Sequence, residues 1–229
     1  MEKLMKTPNR RTFFKLGLGT AGALITAGPV SRALASACGI TPPQTPGPFY
    51  PGGDKFNLDT DLTWIPGHSQ RALGQVIYVK GIVVDEQCRP VKDANVEIWQ
   101  ACASGKYNNP RDPNTAPLDP NFRYWAETYT NEDGEYAFKS ILPGEYPADT
   151  NWVRPAHIHF KITRLGYREL VTQMYFSGNP LNEKDLILRN IPASERESVI
   201  VDFQPSPEGF EPGSLTGNFD ITIQSVRNT

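Results

Sequence analysis

The chain has 229 residues, with twenty-three Lys and Arg against twenty-five Asp and Glu, a formal charge of −2. That length suits one all-β domain rather than two large ones, and the near balance of charge argues against nucleic acid or an anionic membrane as partner. Twenty-one prolines, nineteen glycines and 10% aromatic residues, with no sustained helical period after the first stretch, favour strands and loops.

Residues 1–35 read as an export signal. Asn9-Arg10-Arg11-Thr12-Phe13-Phe14-Lys15 is a twin-arginine pattern, followed by an apolar run from Leu16 to Val30 and the small-residue site Ala33-Leu34-Ala35. The run is interrupted by glycines and is short for a bilayer span. Gly17-Leu18-Gly19-Thr20-Ala21-Gly22 matches a dinucleotide fingerprint, but no strand precedes it and no βαβ unit surrounds it, so it is set aside. Cleavage predicts a periplasmic or secreted protein with no membrane contact. It leaves seventeen bases against twenty-four acids, a net charge of −7.

Cys38, Cys88 and Cys102 remain. In an oxidising compartment they make one disulfide and one thiol. The sequence leaves the pairing open. Cys38 with Cys88 is preferred, because it would tie a loose arm to a turn.

Residues 36–73 form an irregular arm rich in Pro, Gly, Thr and Asp, expected to wrap over a core rather than build one. His68 lies in it and is left out of the site. The domain proper spans 74–229. Strands are expected at 76–84, 94–100, 127–130, 136–141, 156–163, 170–176, 198–203 and 219–223, with a long loop from Ser104 to Tyr124. A short helix is expected near Glu183–Leu188 or Ala193–Ser198. Short strands punctuated by turns predict an all-β fold, an antiparallel β-sandwich with long loops and an irregular N-terminal arm.

The chemistry gathers from Pro143 to Phe160. His157 and His159 alternate with Ile158, so on a strand both imidazoles point one way and can reach a single metal ion. Arg154-Pro155 gives an extended entry to that strand. Tyr107 and Tyr146 sit beside glycine, in loops rather than strand interiors. Phenolate is a hard anionic ligand suited to a trivalent metal, and a phenol with a pKa near ~10 ionises at neutral pH only beside a strong Lewis acid.

These residues resemble the intradiol ring-cleavage dioxygenases, nearest to the iron-binding subunits of the protocatechuate-cleaving members. The likeness runs from about Gly74 to Ile223. It rests on Gly81 to Pro110, Ala116 to Phe122, Thr130 to Pro147, Trp152-Val153-Arg154-Pro155-Ala156-His157-Ile158-His159-Phe160 and Thr172-Gln173-Met174-Tyr175-Phe176. Thr45 to Tyr50 is similar to the family's N-terminal arm.

The resemblance implies a mononuclear non-haem Fe(III) held by Tyr107, Tyr146, His157 and His159. Tyr146 would be the axial phenolate displaced by a chelating catechol, with His159 opposite and Tyr107 and His157 equatorial. Arg154 would stabilise negative charge over the substrate, and Gln173 matches a polar position behind the ligands. The implied reaction is intradiol cleavage by O2 of a diol of the protocatechuate, catechol or hydroxyquinol class, giving a cis,cis-muconate-type diacid. With all four ligands on one chain, a homo-oligomer is the simpler assembly.

Ala148 stands where the compared members carry a bulky aromatic, so the ring substituents are left open. The rival reading is a non-catalytic, transthyretin-like β-sandwich binding module of the cell surface. It accounts for the strands and the export signal, but not for two tyrosines, an arginine and two histidines in one set. A cupin-type H-x-H centre would need a further histidine and carboxylate, and only the distant His68 is left.

Overall fold

The computed structural model describes residues 38–52 and 59–226, so the expected signal at 1–35 lies outside the described residues. Twelve strands appear: β1 (Val76–Asp85), β2 (Asn95–Trp99), β3 (Trp125–Tyr129), β4 (Glu135–Ile141), β5 (Tyr146–Asp149), β6 (Trp152–Arg154), β7 (His157–Thr163), β8 (Leu170–Phe176), β9 (Ile200–Val201), β10 (Gln204–Pro205), β11 (Leu215–Asn218) and β12 (Ile221–Ile223). The one α-helix among the described residues is a single turn, α1 (Leu186–Arg189), with 3-10 turns at Asn182–Lys184 and Arg196–Val199. Both segments expected to be helical therefore turn, and one of them is α.

One sheet runs β10-β11-β1-β12, with β4 also on β1; the second runs β3-β2-β7-β8-β9. The fold is nearly all β, as expected, but the expected wholly antiparallel pairing needs correction. β11 and β12 both pair with β1 in parallel, and β9 pairs with β8 in parallel. The chain returns to these edges by long connections rather than tight hairpins, which is what parallel neighbours require. β11 and β12 follow one another along β1 in one register, Ile77 facing Leu215 and Val83 facing Ile221. Between them the chain passes close to Gly81, where a Cβ would stand 2.0 Å from the Phe219 carbonyl oxygen. Only glycine permits that approach. The strands expected at 198–203 and 219–223 shrink to Ile200–Val201 and Ile221–Ile223. The hairpin β5–β6 and the short strands β10 and β11 were not anticipated.

Alternation along the second sheet sorts its side chains. Val96, Ile98, Ile158, Phe160, Ile162 and Met174 join Ile77, Val79, Val83 and Phe138 of the first sheet in one buried core. Phe160 meets Tyr136 and Phe219 edge-on, so the two sheets pack face to face. The opposite face of the second sheet carries Trp99, His157, His159, Gln173 and Tyr175. In most sheets of this size that face would meet water. Here the arm covers it.

The N-terminal run of the arm is fastened at three points. Thr41 N donates to Thr222 O and Gln44 N to Val171 O, and Cys38 is disulfide-bonded to Cys88 across 50 residues. Cys102 is the buried free thiol. Closing a loop of this length stabilises by about 2–4 kcal/mol. Cys38→Ser should lower the unfolding free energy by that amount in denaturant titration, and reductant should reproduce the loss in the native chain and add nothing to the variant.

Candidate active site

Two glycines bring the tyrosines together. Gly105 (φ +82°) and Gly144 pack backbone on backbone: a Cβ on Gly105 would lie 2.2 Å from Glu145 O, and one on Gly144 would lie 2.4 Å from Gly105 N. Each glycine stands two residues before a tyrosine, so the contact sets Tyr107 and Tyr146 beside each other, their rings perpendicular with centroids 5.5 Å apart. The Tyr107 amide donates to Asp112 Oδ2 at 2.7 Å, fixing the start of the long loop. Tyr146 opens β5 rather than lying in a loop as the sequence suggested. Its register partner on β6 is Arg154, which places phenol and guanidinium on one face.

All six expected site residues meet. Tyr107 Oη is 3.3 Å from His157 Nε2, and Arg154 Nη1 is 3.2 Å from the same nitrogen. The His157 and His159 ring centroids lie 4.9 Å apart, and Tyr146 lies 5.7 Å from His157. Gln173 Oε1 accepts from Arg154 Nη2 at 2.9 Å. None of the six is more than 6% exposed, so each ionisable group is desolvated.

Desolvation fixes the protonation pattern. Burial pushes the Tyr107 phenol well up, with Tyr146 adding to the effect, and burial raises Tyr146 as well. Burial, then the Arg154 charge, holds both imidazoles well below the ordinary histidine range, so both are neutral. His157 Nδ1 lies 2.8 Å from the Pro155 carbonyl, which can only accept; the proton is on Nδ1 and the Nε2 lone pair faces the site. Two donors, Tyr107 and Arg154, converge on that single lone pair. His159 Nδ1 is buried with no partner among the described residues.

This donor set fits a hard, multivalent cation. Two phenols that burial keeps protonated lose their protons when a strong Lewis acid takes the place of both. A bare imidazole nitrogen already points inward. Among the described residues no group of three or more His, Cys, Asp or Glu could hold a metal, so a metal here must draw on the tyrosines. Two oxygens and two nitrogens of this kind suit a trivalent ion better than zinc or calcium.

Several residues of the site were not anticipated. Asp185 is fully buried and takes Arg154 in a fork, Nε to Oδ2 at 2.9 Å and Nη2 to Oδ1 at 3.1 Å. Its Oδ1 also caps α1 through Ile187 N and Leu188 N. An Asp before an apolar turn is a helix-start signal and could have been read from the sequence. Tyr175 Oη accepts from Arg154 Nη2 at 3.1 Å and donates to Gln44 Oε1 at 2.9 Å. It stands two residues after Gln173 and shares its face. Gln44, Phe49 and Gly47 come from the arm: Phe49 packs on both tyrosines, and Gly47 approaches so closely that a Cβ would lie 3.3 Å from His159. His68 bonds Asn121 at 3.0 Å and takes no part.

Removing the Asp185 charge leaves a buried guanidinium uncompensated. Asp185→Asn should therefore cost about 3–5 kcal/mol of stability in denaturant titration. The remaining oxygen can still cap α1, so the loss belongs to Arg154.

Comparison with known proteins now bears on the site. A family model described as Dioxygenase matches residues 46–225. The chain belongs to the intradiol ring-cleavage dioxygenase family. It is 41% identical over 182 residues to the protocatechuate 3,4-dioxygenase beta chain of Burkholderia cepacia, a match covering 77% of this chain and 76% of that one. The match to hydroxyquinol 1,2-dioxygenase of Nocardioides simplex is 29% identical and spans 71% of this chain but only 55% of that protein. Among solved structures, the dioxygenase domain of a dioxygenase carbohydrate-binding protein fusion from Streptomyces sp. SirexAA-E superposes with a TM-score of 0.62 at 25% identity, covering 82% of this chain and all of that domain. An intradiol ring-cleavage dioxygenase is an oxidoreductase, and the buried tyrosine, histidine and arginine set lies within the matched span.

Proposed function

We propose that the chain cleaves a catechol-type aromatic diol between its two hydroxylated carbons, inserting both atoms of O2 to give a cis,cis-muconate-type diacid, at an Fe(III) held by Tyr107, Tyr146, His157 and His159. The observation that carries this reading is the convergence of two phenols and two neutral imidazoles on one water-excluded point beside a buried arginine. When bound, Fe(III) supplies a Lewis acid that ionises phenols and accepts both diol oxygens.

The chain's own groups do the rest. Tyr146 Oη, as phenolate, takes a proton from a diol hydroxyl. Arg154 presents Nη1 to the site while Asp185 balances its charge, so a cation is available for negative charge developing on the substrate. Gln173 and Tyr175 lock the guanidinium in that pose. Phe49 and the arm exclude water. A non-catalytic module would give no reason to bury this set together.

Protocatechuate, catechol and hydroxyquinol are the substrate classes proposed. Ala148, exposed on β5 two residues after Tyr146, leaves room for ring substituents. The test is oxygen uptake with each diol. One O2 consumed per ring with a diacid product supports the reading; no uptake with any of them by the iron-loaded protein overturns it.

The remaining proposals concern setting. A twin-arginine signal at 1–35 would deliver the folded enzyme to the periplasm or outside the cell, and the Cys38–Cys88 bond agrees with an oxidising compartment. Beyond it, 36–73 is the arm and 74–229 the catalytic domain. A homo-oligomer is the proposed assembly, since one chain carries the full donor set.

A further inference from the structure

The site face of the second sheet continues past His159 into an aromatic row. Trp125, Trp99 and His159 are direct register partners across β3, β2 and β7, so their side chains share one face. Trp99 stacks on His159 with centroids 4.8 Å apart and planes 5° from parallel. Tyr50 of the arm stands edge-on to Trp99, again at 4.8 Å. Tyr50 Oη donates to Glu97 Oε2 at 2.8 Å, and Trp125 Nε1 donates to the same oxygen at 3.2 Å. Glu97 is 7% exposed, with Lys161 Nζ 3.9 Å from its other oxygen. Tyr50 and Trp125 are half-buried, at the outer end of the row.

We propose that this row is a redox relay, carrying an oxidising equivalent from the site to Tyr50 and so sparing the metal ligands. The inference rests on the proposed oxygen chemistry. The oxidant is the hydroxyl radical: ferrous iron at the site would supply the one electron that splits hydrogen peroxide into hydroxyl radical and hydroxide, becoming ferric. The radical takes one electron from Trp99 through the stacked His159 ring and becomes hydroxide. Trp99 Nε1 is buried with no hydrogen-bond partner among the described residues, so the indole cation radical has nowhere to lose its proton and the vacancy moves on. Tyr50 refills it with one electron. Its Oη proton passes to the Glu97 carboxylate along the existing hydrogen bond, leaving a neutral tyrosyl radical and a carboxylic acid. In sum, hydroxyl radical, phenol and carboxylate become hydroxide, phenoxyl radical and carboxylic acid.

Packing alone explains the stacking. It does not explain why the buried indole N–H lacks an acceptor among the described residues, an unfavourable arrangement, while the tyrosine beside it is given a buried carboxylate.

The test uses the full chain loaded anaerobically with ferrous iron, with iron content measured first, then short exposure to hydrogen peroxide and peptide mass spectrometry. Oxidation should concentrate at Tyr50 in the native protein. In Tyr50→Phe, which keeps the ring against Trp99, oxidation of Trp99 and the four ligands should rise at least threefold. Freeze-quench electron paramagnetic resonance of the native protein should show a tyrosyl radical, a readout that stands even if the variant does not fold. Iron-loaded protein with no such radical, or with the same oxidation pattern in native chain and variant, overturns the relay while leaving the proposed reaction intact. A chain that takes up no iron overturns both.

Discussion

His157→Ala should leave a folded protein that no longer retains iron. The imidazole supplies the one site nitrogen whose bare lone pair is fixed by hydrogen bonding, through Nδ1 to the Pro155 carbonyl. Losing even a group that orients a ligand weakens metal binding by about 10–100-fold, so losing the ligand itself should weaken it by at least about 100-fold. Activity should fall with occupancy. Iron analysis after dialysis, beside a circular dichroism spectrum, checks both halves: full iron retention in the alanine variant would remove His157 from the donor set.

The second large effect needs no change to any group that touches substrate. Gly144→Ala forces a Cβ to within 2.4 Å of the Gly105 amide, a backbone atom that no rotamer change can move aside. Overpacking of this kind costs about 1–3 kcal/mol or more. Relief requires the two tyrosine loops to separate, and a shift near 1 Å between reacting groups costs about 100-fold in rate. We expect a stable enough fold, a fall in kcat of about that size, and a visible spectrum altered by the displaced phenols. An alanine variant with native kcat would show that the glycine pair does not set the tyrosines.

Much of this site could be read from the chain, because its strongest signals are local. The H-x-H alternation needs only strand geometry, and Ile158 in the core with both imidazoles on the other face is what that geometry demands. Tyr107 and Tyr146 stood out as phenols beside glycine, while their exact ligand roles and those of Arg154 and Gln173 entered through a family likeness, and the structure brings all of them to the same point. The partners that hold Arg154 were harder. Asp185 lies thirty-one residues away, and Gln44 lies more than one hundred and twenty residues from the Gln173 and Thr172 groups it bonds. No period or short motif encodes contacts of that separation.

The fold was misread where pairing direction depends on connection rather than on strand content. β11 and β12 are short, and Gly217 and Asp220 weaken their strand pattern. Nothing in those residues says that they lie parallel to β1. The β5–β6 hairpin was hidden by Pro147, which reads as a loop, although its pairing places Tyr146 opposite Arg154.

The most direct measurement of the central claim is the visible spectrum of the purified, iron-loaded protein, recorded before and after anaerobic addition of catechol. Two tyrosinates on Fe(III) predict a burgundy protein whose broad band shifts to the red as the diol binds. A protein that stays colourless after reconstitution with iron would contradict the account.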